Sequence, residues 1–174
     1  MTLMPVNPML VRERLMARVK ERLMRITLAN GYFTEIGSNV FFGRLINGDP
    51  NPLPCIHFWD AEETAAKIEG VEWNTLVTVI EMYDKVDEDT VSVDDGSALQ
   101  VRAGRMLGDI KRAIAHSQAL DRVDPTFEGQ AEGLSYAGSN IIVGLRPELW
   151  LGASANYDLT YTTRYGDPFE TEEE

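Results

Sequence analysis

Near the end of the chain Tyr157, Leu159, Tyr161, Thr163 and Tyr165 alternate with Asn156, Asp158, Thr160, Thr162 and Arg164. A period of two puts one set on each face of an extended strand, one face buried and the other polar. A strand this long must pair its backbone groups, so the chain is committed to a sheet. Gly166-Asp167-Pro168 ends the run, because proline has no N–H to give to a ladder. The last residues, 169–174, form an acidic tail whose like charges repel. The pattern predicts a single domain over 1–168, with its final strand at an exposed sheet edge.

Helical spacing marks two further elements. Asn7-Pro8 is a good helix start, and Val11, Leu15, Val19, Leu23 and Ile26 follow as one apolar stripe up to Asn30-Gly31. Ser97-Ala98-Leu99-Gln100 has the form of a capping box. Behind it Leu99, Ala103, Met106, Leu107, Ile110, Ala113 and Ile114 share a face, and the helix is expected to end near Ser117. Arg102, Arg105 and Arg112 fall off that face and form the most compact basic patch of an acidic chain.

Between the helices the sequence reads as strands. Ser38–Leu45 and Pro54–Trp59 are short and apolar, and the polar stretch Ala61–Gly70 reads as a loop or a turn of helix. The segment Trp73–Tyr83 carries Trp73, Val77, Val79 and Tyr83 on one face and Leu76, Ile80 and Met82 on the other. A strand apolar on both sides must be covered on both. One cover is expected from the helices and the other from a neighbouring subunit. Asp84–Asp95, which includes Asp84, Asp87, Glu88 and Asp89, reads as a mobile acidic loop suited to partner contacts. Leu134–Tyr136 and Ile141–Leu145 read as separate strand fragments. Strands flanked by helices, without βαβ alternation, define an α+β fold: a mainly antiparallel sheet of four to five strands with two α-helices packed on one face.

Composition limits function. The chain has 174 residues, enough for one core and short for two. Its formal net charge of −12 opposes a role that grips nucleic acid by neutralising phosphates. Arg12, Arg14, Arg18, Lys20, Arg22 and Arg25 make the first segment basic, which reads as a solvated amphipathic face. Cys55 is the lone cysteine, so no intrachain disulfide forms. The chain has no apolar run of the roughly 20 residues a membrane helix needs, and no leader pattern at its start; a soluble, intracellular protein is expected.

Catalytic signatures are thin. Cys55 and His57 would share a strand face with Asp60 nearby, the only cluster with nucleophilic potential, but neither a glycine elbow nor an oxyanion turn accompanies it. His57 and His116 lack metal-ligand spacing, and Gly129, Gly133, Gly138 and Gly144 lack the context of a phosphate cradle. The expectation is no catalytic residue, no cofactor and no metal.

The segment Arg22-Leu23-Met24-Arg25-Ile26-Thr27-Leu28-Ala29-Asn30-Gly31-Tyr32-Phe33-Thr34-Glu35-Ile36-Gly37-Ser38-Asn39-Val40-Phe41, then Gly43-Arg44 and the strand Pro54-Cys55-Ile56-His57-Phe58, resembles the tail terminator and minor tail proteins of tailed bacteriophages. The helix Gln100–Ile114 and the closing strand Tyr157–Tyr165 are similar to that family's remaining landmarks; 127–151 matches nothing in it. The resemblance implies a virion subunit forming a homo-hexameric ring at the head-proximal end of the tail. Such a ring stops growth of the tail tube protein and joins the head–tail connector protein, while DNA passes through the lumen unread. Another head–tail connector component, a head-completion or adaptor protein, is the alternative. Interface residues are expected among Trp73, Val77, Val79, Tyr83, Asp84, Asp87, Glu88, Asp89, Arg102, Arg105 and Arg112.

Overall fold

The apolar stripe of the first segment forms α1, Val11–Leu23, and buries Val11, Leu15, Val19 and Leu23. A computed structural model describes residues 9–44, 52–86, 96–144 and 150–169. The start signal Asn7-Pro8 lies outside them; within them the helix begins after Leu10, whose N–H donates to Glu13 Oε2 at 3.0 Å. The helix is shorter than its stripe predicts. Residues 35–38 pack against its last turn so closely that a Cβ on Gly37 would lie 2.5 Å from the Leu23 carbonyl oxygen. The ladder tightens where the Arg25 and Ile26 N–H groups donate to the Arg22 (3.3 Å) and Leu23 (3.1 Å) carbonyls, and the Gly37 N–H donates to the Ile26 carbonyl at 3.0 Å. Asn30-Gly31 closes a separate 3₁₀ turn, Leu28–Asn30, with Gly31 at φ 75°.

A five-stranded sheet carries the core, in the order β1 (Val40–Phe42), β2 (Cys55–Ile68), β3 (Val71–Lys85), β7 (Trp150–Arg164) and β6 (Gly133–Gly144). β1 runs parallel to β2 and every other pair is antiparallel. The helix α2, Ser97–Ala115, joins β3 to a small ladder of β4 (His116–Ser117) and β5 (Arg122–Val123). Gly96 is its N-cap, one residue before the expected box. Both helices lie on one sheet face, against Ile56, Phe58, Leu76, Ile80, Met82, Ala153, Ala155, Tyr157 and Leu159. The architecture is the α+β fold read from the sequence, each fully buried Leu, Ile or Phe contributing roughly 1.5–3 kcal/mol.

Three strand boundaries differ from expectation. Residues 61–70 are not a loop: β2 continues to Ile68 and turns at Glu69-Gly70, both at positive φ (52° and 92°), into β3. This outer arm is exposed on both faces, so it shows no apolar alternation and is held by its ladder to β3. The two fragments after Leu134 form one strand, β6, with a bulge between Tyr136 and Gly138. β7 is not an edge; it lies between β3 and β6, and its predicted inward face ends at Thr163. Tyr165 falls past the strand and is exposed, with Lys67 Nζ 3.6 Å above its ring.

Polar contacts fix the helices to their surroundings. Asp109 of α2, buried, accepts the Phe33 N–H at 3.0 Å and the Thr34 hydroxyl at 2.7 Å. Arg112 donates to the Gly31 carbonyl at 2.8 Å and stacks on Tyr32, with its guanidinium 4.7 Å from the ring centroid. Arg22 departs most from the solvated face expected of it: it is only 1% exposed. Its guanidinium donates to the Ile114 carbonyl (2.6 Å), the Asp124 carbonyl (2.8 Å), Asp124 Oδ2 (2.8 Å) and Glu128 Oε1 (3.1 Å), over the Phe127 ring.

Burial opposes the charge on Asp124, but hydrogen bonds from the Thr126 hydroxyl, the Glu128 and Thr126 N–H groups and Arg22 outweigh it and hold the carboxyl down at about 2. A depressed carboxylate stabilises the fold above its unfolded value near 3.8 and loses that contribution as pH falls towards 2. Urea titrations between pH 4 and 2 are therefore expected to show a flatter fall in stability for Asp124→Asn than for the native chain. Arg22→Ala, which strands a buried acid, is expected to lose about 3–5 kcal/mol at neutral pH.

Candidate functional site

The three residues with nucleophilic potential do not converge. Cys55 and His57 lie on the sheet face away from the helices, opposite Tyr83 and Glu81 of β3, whereas Asp60 lies on the helix face and accepts from Arg12 Nε at 2.6 Å. Among the described residues no hydrogen bond joins Cys55 to His57. The His57 ring stacks on Phe41 (centroids 5.0 Å apart), and its Nδ1 lies 3.3 Å from the Gly43 carbonyl. Burial pushes the Cys55 thiol up to about 11, which keeps it protonated and a poor nucleophile near neutral pH. No group of three or more His, Cys, Asp or Glu able to hold a metal occurs among the described residues.

The sheet offers a more developed surface. On β3 the even-numbered residues Asn74, Leu76, Thr78, Ile80 and Met82 are buried under the helix layer. On the other face Val77 and Val79 are half-buried and Trp73 is 38% exposed. Tyr83 differs from these three. It is covered within the chain by a row of rings that crosses four strands: Phe41 of β1, His57 of β2, Tyr83 of β3 and Trp150 of β7. Its hydroxyl donates to Glu81 Oε2 at 2.6 Å, and burial together with this bond raises its pKa. Gly152 leaves room for the row, since a Cβ there would meet Trp150 at 2.9 Å. Phe41, Trp150 and Gly152 were not legible as part of a surface, because only the cross-strand register brings them beside Tyr83.

Asp84, Arg102 and Arg105 meet at the start of α2. Asp84 is not in a mobile loop but in β3, 9% exposed, and it accepts from Arg102 Nε at 3.0 Å and Nη2 at 2.8 Å. Arg105 lies over the exposed Phe33 ring at 5.8 Å. These residues line a pocket of about 490 Å³ whose apolar wall is Leu28, Phe33, Pro54 and Val101. Arg112 sits further along α2, committed to Gly31 and Tyr32, so the three arginines are not the free outward patch their spacing implied. Asp87, Glu88 and Asp89 lie outside the described residues.

What these surfaces define is a small two-layer α+β subunit with one partly uncovered sheet face and an amphipathic pocket beside its second helix. No protein-family model matches the chain, and no curated protein sequence matches it.

The contacts of the arginines separate their substitutions. Arg112→Ala is expected to lower stability by about 0.5–1.5 kcal/mol, because it removes an exposed hydrogen bond to the Gly31 carbonyl and the stacking on Tyr32. Arg105→Ala is expected to change it by less than about 0.5 kcal/mol. Urea unfolding of the two variants checks the difference, and equal losses would mean that Arg105 also supports the fold.

Proposed function

We propose that this chain is a structural assembly subunit, the tail terminator of a tailed bacteriophage. It forms a hexameric ring at the head-proximal end of the tail, ends growth of the tail tube, and presents the surface that the head–tail connector protein joins. The observation that carries this reading is the sheet face at Trp73, Val77 and Val79, apolar and only partly covered by its own chain, in a subunit whose sequence resembles that family. Burying such a patch against another subunit removes apolar area from water and supplies the driving force for association. The net charge of −12 suits a conduit, because an acidic wall repels the phosphates of passing DNA and leaves it free to move. The neck of the virion is then its location, and its partners are other copies of itself, the tail tube protein and the connector protein.

A ring built from one repeated joint fails wholly when one surface is spoiled. Light scattering and electron microscopy of the purified chain, alone and with tail tube protein present, are expected to give a six-fold ring with an open centre. The double variant Trp73→Lys, Val77→Lys is expected to stay folded by circular dichroism and to lose the ring. A chain that remains monomeric under both conditions would refute the proposal. A chain that binds portal-side protein and not tube protein would make it a different connector component.

A further inference from the structure

Left-handed backbone is strained for any residue with a side chain, and it persists only where the surroundings hold it. Phe127, Glu128 and Gly129 follow one another at φ 52°, 55° and 82°. Only the third is glycine, so the turn between β5 and β6 stores strain in two ordinary residues. Arg22 of α1 holds both of them: its guanidinium lies 4.0 Å from the Phe127 ring centroid and donates to Glu128 Oε1 at 3.1 Å. Asp124 completes the clamp, since its Oδ2 accepts from Arg22 Nη2 at 2.8 Å and from the Glu128 N–H at 2.7 Å. Apolar packing adds little. Between His116 and Tyr136 the buried apolar side chains are Phe127 and Ala131, while Leu120, Val123 and Tyr136 are exposed. The bulge between Tyr136 and Gly138 then interrupts the ladder of β6 to β7, so residues 133–136 are separated from the rest of the strand.

We infer that residues 116–136 are a release unit: the Arg22–Asp124 contact latches the strained turn, and when the latch is lost the unit opens up to the bulge while the rest of the sheet stays closed. Opening relieves the two strained residues and exposes few apolar side chains, which places this unit at the low-stability end of the molecule. Its boundaries follow from the bonds it makes. At one end the Asp124 N–H returns to the Ala115 carbonyl at 2.7 Å, and α2 stays anchored through Met106, Ile110 and Ile114 in the core. At the other the Glu132 N–H donates to the Thr160 carbonyl at 2.7 Å, and residues 133–136 pair with 157–160 of β7. An open unit leaves that stretch of β7 paired on its β3 side alone. The device is thus a charge-held latch on one end of the sheet edge.

Native-state hydrogen exchange on full-length variants at neutral pH tests the unit. The Asp124 carboxylate takes donors on both oxygens: the Thr126 N–H and hydroxyl on one, Arg22 and the Glu128 N–H on the other. In Asp124→Asn the amide NH₂ opposes donors whichever way it turns, so the latch is lost. The Ala131 and Glu132 amides, bonded to the Thr126 and Thr160 carbonyls, are expected to exchange faster than in the native chain. The acceleration is roughly 10- to 100-fold, the effect of losing one charge-assisted bond. The amides of β3 are expected to keep their native rates. Glu128→Ala and Glu128→Gly separate strain from charge: both remove the carboxylate, and glycine alone takes φ 55° without strain. Exchange at Ala131 and Glu132 is expected to be several-fold slower in the glycine variant than in the alanine variant. Acceleration spread equally over β3, or none at Ala131 and Glu132, would overturn the unit, as would an Asp124→Asn chain that does not fold. A glycine variant that opens as readily as the alanine variant would overturn the strained latch.

Discussion

The helix layer of this protein depends on one buried cation. Arg22 has no water to turn to, so its charge is stable only while the Ile114 and Asp124 carbonyls and the Asp124 and Glu128 carboxylates surround it. Those partners come from the end of α2 and from the turn that follows β5. A single side chain of α1 therefore fixes the end of α2 and the loop that leads to β6. Asp124 does the same from the other side, since its carboxylate also holds Thr126 and the Glu128 backbone. Packing alone permits helices to slide and rotate; a desolvated ion pair with several directed bonds permits one arrangement.

Fixing the layer at that end leaves the sheet longer than its cover. The helices lie over the inner parts of β2, β3 and β7, and the β2 arm extends beyond them, exposed on both faces. Among the described residues the opposite face receives no helix, and the ring row from Phe41 to Trp150 covers part of it. Among the described residues, a fold in which two helices guard one face of a five-stranded sheet thus leaves the other face partly uncovered at Trp73, Val77 and Val79. Burying that apolar area against another subunit would remove it from water, which is why the proposed function is assembly.

Much of the fold was legible because its signals are local. The period of two in Tyr157, Leu159, Tyr161 and Thr163 marks a face that is buried, and the stripe of α1 and the apolar side of α2 mark the faces that pack upon it. The acidic pair Glu62-Glu63 misled for an equally local reason: an arm exposed on both faces has no hydrophobic period, and its extended form comes from hydrogen bonds to β3. The glycines and the bulge of β6 interrupt its alternation, so its sequence has the pattern of separate fragments. Trp73, Val77 and Val79 share a strand face that their spacing alone makes legible, whereas the ring row through Trp150 and the pocket wall of Phe33 and Val101 depend on contacts between elements.

The sequence by itself determined the two helices, the apolar inner parts of β2 and β3, and the alternation of β7, with the apolar side of each, because those properties depend on neighbours within a few positions. Tertiary structure alone decided that β7 is an inner strand, that β6 is the edge, that Asp84 takes Arg102, and that Arg22 is buried among groups 92 to 106 residues away. Such pairings follow from how the whole chain closes on itself. A charged side chain has the same local pattern whether it meets water or a buried partner, and only the closed fold decides between them.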